Sequence, residues 1–153
     1  GYPDIEEAAT ALIALEQSKG NLEPWTKADF IDNIIAIQKQ KQLEKEHIAG
    51  AIQFFDRSPI CTYALSVYLD IPPSEALLAE ITRIKEQGIY QDKVFFIENL
   101  GFCEPTEARK ISFEDSLRFE KIHEEVYRSH GYELVKIPPN SIEQRINDIL
   151  QAL

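Results

Sequence analysis

Methionine is absent from all 153 residues, and the chain opens Gly1-Tyr2. A translation product begins with Met, so the sequence reads as a processed chain or a fragment. Cysteine occurs only twice, at Cys61 and Cys103, with neither CxxC nor Cys/His spacing, which argues against a zinc site. Two free thiols fit a reducing cytoplasm. No apolar run approaches the ~20 residues that span a bilayer, and no signal-peptide pattern opens the chain. Basic residues are outnumbered, 16 against 26 acidic ones, for a formal net charge of -10. That balance disfavours wrapping nucleic acid or an anionic membrane. It leaves a small phosphorylated ligand open, because a few local Lys and Arg decide such a contact. Internal repeats and low-complexity segments are missing too.

What is there describes one ordinary globular domain: 44% hydrophobic and 27% charged residues, enough to bury a core. "PDIEEAATALIALEQSKG" reads as a helix stopped by Gly20, with Ala8, Leu12 and Leu15 on one face. "NLEPW" is a linker. "TKADFIDNIIAIQKQKQLEKE" opens with Thr26 and Asp29 at capping-box spacing. Phe30, Ile34, Ile37 and Leu43 then recur at helical spacing, while Lys39, Lys41 and Lys45 face away, and Gly50 ends the segment. "AIQFF" is a short apolar run of the kind found in parallel strands buried on both faces. Helices follow at about 60–69 and 74–87, with "KVFFIEN" as a second strand of the same type. "LGFCEPTEARK" reads as a loop. A long amphipathic helix capped by Ser112 and Asp115 runs to Gly131, then come the strand "YELVKI" and a last helix capped by Ser141 and Gln144. Strands alternating with long helices predict an α/β fold with a parallel sheet.

Ligands in such sheets sit beyond the C-terminal strand ends. Asp56 and Arg57 follow "AIQFF", Glu98 and Asn99 end "KVFFIEN", and Glu6 and Glu7 follow the opening stretch. A carboxylate there can hold magnesium, directly or through water, or accept a proton from a nucleophile. An adjacent Arg offers a planar fork for phosphate oxygens. The plainer reading is structural: Asp56 caps the helix beginning near Pro59 and Arg57 neutralises it. Glu7 is equally an acid in a first helical turn. Arg109, Lys110 and Arg118 read as a solvated basic patch around the start of the long helix. His47, His123 and His130 carry no metal-pair spacing, and Phe95, Phe96, Phe113 and Phe119 read as core.

Several stretches carry a resemblance: "EEAATALIAL", "EPWTKADFIDNI", "FFDRSPICTYAL", "VFFIENLGFCEPTEARKISFEDSLRFEKIHEEVY" and "GYELVKIP". Through them nearly the whole chain resembles the P-loop kinase-like AAA family ATPases of bacterial genomes, relatives of small-molecule and nucleoside kinases. The resemblance implies a three-layer α/β/α P-loop NTPase fold in which the first strand feeds a GxxxxGK[ST] loop that cradles phosphates. None of the six glycines, at 1, 20, 50, 88, 101 and 131, lies in such a motif. The sequence departs from the family there, as if it starts after the P-loop helix, with about 25 residues missing by the size of half a βαβ unit.

The resemblance also implies roles and ligands: ATP, Mg2+ and a small-molecule phosphoryl acceptor. Asp56 would serve magnesium and the attacking group, and Arg57 the acceptor or transferred phosphate. Glu7 would be general base or magnesium-water ligand. Arg109, supported by Arg118, would close over the triphosphate from a lid-like segment at 100–118. The expected function is ATP hydrolysis or γ-phosphoryl transfer, with negligible turnover in residues 1–153 for want of the loop. The alternative is a non-catalytic binding module. A purely structural adaptor is disfavoured by the buried-type strands.

Overall fold

The computed structural model describes residues 4–5, 7–48, 52–99 and 112–153. They fall into two compact units, Gly1–Gln87 and Gly88–Leu153. Strand β1 (Asp4–Ile5) leads into α1 (Ala8–Ser18), a 3-10 turn (Pro24–Thr26) and α2 (Phe30–Lys45). Strand β2 (Phe54–Phe55) is followed by α3 (Pro59–Tyr68) and α4 (Glu75–Glu86). The second unit holds β3 (Lys93–Ile97), α5 (Phe113–Ser129), β4 (Glu133–Ile137) and α6 (Ile142–Ala152). Among the described residues, no helix is long and apolar enough to cross a membrane.

The expected α/β class with parallel pairing is observed. β1 and β2 pair parallel with Asp4 opposite Phe54 and Ile5 opposite Phe55. β3 and β4 pair parallel from Lys93–Glu133 through Ile97–Ile137. Among the described residues these are two separate two-stranded sheets. Phe54, Phe55, Phe95 and Leu134 are consequently half-buried and Ile97 is exposed, where strands buried on both faces were expected. A strand reaches full burial only when its sheet is wide and covered on both sides.

In the first unit, α2, α3 and α4 pack around Ile34, Ile60, Ala64, Leu77 and Ile84, all nearly inaccessible to solvent. Each helix start has a local reason. Ser58 accepts a hydrogen bond from the Ile60 amide, and Pro59 takes the first helical position, where its missing N–H costs nothing. The end of α3 is a Schellman turn: Ile71 N–H reaches the Ser66 carbonyl and Asp70 N–H that of Val67. Asp70 supplies its left-handed residue, with φ 56°. Ser74 caps α4 by accepting from the Leu77 amide. A polar seam runs through the same helices. Thr62 donates to Gln38, while Arg83 donates to Gln42 and grips Glu80 through two nitrogens.

Three local expectations are corrected. The opening stretch is a strand before it is a helix, and Ile13 is buried in place of Leu15, which is half exposed. Thr26 does not cap α2: its hydroxyl donates to the Glu23 carbonyl, within the preceding 3-10 turn. Asp29 occupies the cap position without a side-chain cap bond. Leu43 is exposed, and the turn it shares is buried through Gln42 instead, because Arg83 satisfies that amide. Gly50, expected to end this segment, lies outside the described residues.

In the second unit, Val126, Tyr127, Tyr132 and Ile137 form the core, with His123 buried among core positions. The Tyr127 and Tyr132 rings meet edge to face at 5.6 Å. Ser112 and Ser141 cap α5 and α6 as expected, accepting from the Asp115 and Gln144 amides. Gly131, with φ 84°, ends the α5 segment as the spacing predicts.

Candidate functional site

The parallel register of β1 and β2 decides what meets at their C-terminal edge. Glu7 stands two residues beyond Ile5, and Arg57 two residues beyond Phe55, its register partner. Equal offsets from paired residues bring the two side chains together across 50 positions of sequence. Arg57 Nε lies 3.8 Å from Glu7 Oε1. The other carboxylate oxygen, Oε2, accepts a hydrogen bond of 2.9 Å from the Thr10 hydroxyl. Glu7 is itself the cap residue of α1, so its backbone is fixed by the helix and its carboxylate by Thr10.

At 3.8 Å the Arg57–Glu7 contact is an ion pair longer than a hydrogen bond. The two side chains keep 36% and 22% of their accessible surface. A pair so wet contributes at most about 1 kcal/mol. Arg57 also has φ of 70°, left-handed backbone that costs a residue with a Cβ about 1–2 kcal/mol. Strain of this kind collects at functional sites, where the surrounding structure holds it in place. Here the holders are β2 before Arg57 and the capped start of α3 directly after it.

Asp56 is exposed at the strand end. The helix cap that Asp56 might have supplied is made by Ser58, and Arg57 has the Glu7 carboxylate as an ion-pair partner. Among the described residues, no three His, Cys, Asp or Glu side chains gather as a metal cage. Magnesium held by one carboxylate, water and phosphate oxygens requires no such cage. Asp56 has the chemistry and exposure for that role. Arg57, followed at once by the start of a 10-residue helix, offers donors suited to an anion's oxygens.

The second unit presents a different strand end. Glu98 N–H continues the ladder to the Ile137 carbonyl, 2.9 Å away. The Asn99 amide donates to Glu120 Oε2 at 3.2 Å, and its side chain donates to the Ser116 hydroxyl at 3.3 Å. Burial raises the Glu120 carboxyl above its usual range; the Asn99 amide works against this, and the charges of Glu98 and Glu124 add to it. Glu124 is lowered, chiefly by its hydrogen bond from Lys136 and also by Arg128, 2.7 Å away. Arg118 is exposed on α5 of this unit, and Arg109 lies outside the described residues.

Sequence reasoning placed Glu6, Glu7, Asp56, Arg57, Glu98 and Asn99 at one sheet edge. The structure brings Glu7 and Arg57 into contact and puts Glu98 and Asn99 after a strand of a separate sheet among the described residues, while Glu6 lies outside those residues. Sequence reasoning missed Thr10, whose position three residues after Glu7, in the first turn of α1, was the available signal. It also missed Ser116 and Glu120, one helical turn apart on α5. A family model described as an AAA domain matches residues 1–145. No curated protein matches the chain, and no solved structure does.

Proposed function

The chain belongs to the AAA domain family, and from that premise we propose that it is a nucleotide-binding P-loop NTPase of kinase-like type, directing the γ-phosphoryl group of ATP to a small molecule or to water. The observation that carries this reading is the Glu7–Arg57 contact at the C-terminal edge of a parallel strand pair, with Asp56 exposed beside it. Arg57 orients the oxygens of the acceptor or of the transferred group. Glu7 takes the proton of the attacking hydroxyl or water. Asp56 faces solvent where a hydrated magnesium would sit, and the ion, when bound, neutralises charge on the phosphates. Arg109 and Arg118 are proposed to add cationic cover. Phosphoryl transfer depends mostly on such positioning and charge neutralisation.

These residues fit the acceptor and magnesium side of such a site. No GxxxxGK[ST] loop lies within residues 1–153, and that observation favours a second reading, a binding module that recognises a phosphorylated ligand without turning it over. The two separate in one assay: magnesium-dependent ATP turnover and phosphoryl transfer by the native protein, with and without candidate acceptors. Turnover that falls about 100-fold in Asp56→Asn supports the catalytic reading. Phosphate binding without turnover supports the module. Turnover indifferent to Asp56 and Arg57 overturns the assignment of the site.

A further inference from the structure

We infer that Glu7 and an incoming phosphoryl anion compete for Arg57, so that arrival of the anion is what releases Glu7 for proton transfer. The inference rests on the phosphate-binding reading of this edge and adds a coupling to it. Arg57 meets Glu7 at 3.8 Å through Nε, with over a third of its side-chain surface open. A phosphate engages a guanidinium through short, charge-assisted hydrogen bonds, commonly two in parallel. A solvent-screened ion pair loses that contest.

Glu7 does not travel with Arg57 when the pair parts. Thr10 holds Oε2 at 2.9 Å, and the residue caps α1, so the carboxylate stays at the strand edge. Oε1, the oxygen facing Arg57, is the one that becomes available. The edge would therefore withhold its base until a phosphoryl group is in place, which guards against unproductive proton transfer.

The test is a titration with inorganic phosphate, followed by NMR at the backbone amide of Ser58, in wild type, Glu7→Gln, Arg57→Gln and the double variant. Competition predicts that Glu7→Gln binds phosphate about two- to fivefold tighter, the size of an exposed pair. Arg57→Gln should bind about tenfold weaker or worse. The double variant should match Arg57→Gln, since with no Arg57 there is nothing to compete for. Arg57→Lys, which keeps charge but loses the fork, should fall between and guards against a folding defect in Arg57→Gln. If Glu7→Gln binds like wild type while Arg57→Gln loses binding, competition is overturned and the phosphate reading stands. A gain from Glu7→Gln that persists without Arg57 reduces the effect to plain repulsion and also overturns it. If none of the proteins responds to phosphate, the reading and the inference fall together.

Discussion

The strand edge of the first unit joins unlike charges from two neighbouring strands, while that of the second surrounds one carboxylate with others. Glu7 and Arg57 meet across a register pair, loosely and in contact with water. Glu120 is held by the Asn99 backbone amide that follows β3, with Glu98 and Glu124 near enough to push its titration upward. Opposite charges left half-open can exchange partners. A half-buried acid tied to a backbone amide serves to fix a chain. On the proposed reading, ligand work falls to the first edge and structural work to the second, and that division can be broken by experiment.

The largest expected effect belongs to the first edge. Arg57→Gln should lower phosphoryl transfer or hydrolysis by the native protein about 100-fold or more. It should leave thermal stability nearly unchanged, because an exposed pair is worth about 1 kcal/mol or less. A large drop in melting temperature with activity intact would reverse the comparison. Next, Ser58→Ala removes the cap that fixes the turn after Arg57 and should cost about 1 kcal/mol in denaturant melts. Comparing Arg57→Gly with Arg57→Ala isolates the backbone: glycine should be the more stable by about 1 kcal/mol, since only alanine carries the left-handed strain. Equal stabilities would mean that the strain is not stored there.

The second edge yields smaller, stability-only effects. Asn99→Ala should cost about 1 kcal/mol through the lost bond to Ser116. Glu120 adds a pH signature. Its folded carboxyl titrates above the unfolded one, so the folded state binds the proton more tightly. The associated stability is present in full below the unfolded carboxyl range and is lost as pH rises through the folded value. Glu120→Gln should abolish that share of the decline, read as a melting temperature that falls less than wild type between acid and neutral pH. Glu124, lowered by Lys136, runs the opposite way and loses its contribution as pH falls.

Much of this was legible in the sequence, and the reasons are local. Ser112, Ser141 and the Pro-Pro-Ser run before α4 announce helix starts within one turn, so their caps were readable. Periodicity found the helices, and short apolar runs marked β2 and β3. It failed at Leu15 and Leu43, because apolar spacing names a face without saying where a neighbouring helix ends. It failed again at Gln38 and Gln42, buried because the sequence-distant Thr62 and Arg83 satisfy them, and at Glu80, which Arg83 satisfies one helical turn on. Thr26 and Asp29 have the spacing of a cap, yet the turn at Pro24 claims the threonine first. The Glu7–Arg57 contact required register, which no one-dimensional pattern contains. Strand ends could place both residues on an edge, but only the Ile5–Phe55 pairing makes them neighbours.

That pairing sets a length rule for the chain. Glu7 and Arg57 each stand two residues beyond paired positions, so one residue inserted between Phe55 and Arg57 would displace the guanidinium from Glu7 by up to the roughly 3.3–3.6 Å that one residue spans. A matching insertion after Ile5 would be needed to restore the offset. The two turns are thus coupled in length, while the chain that separates them in sequence is free of that constraint.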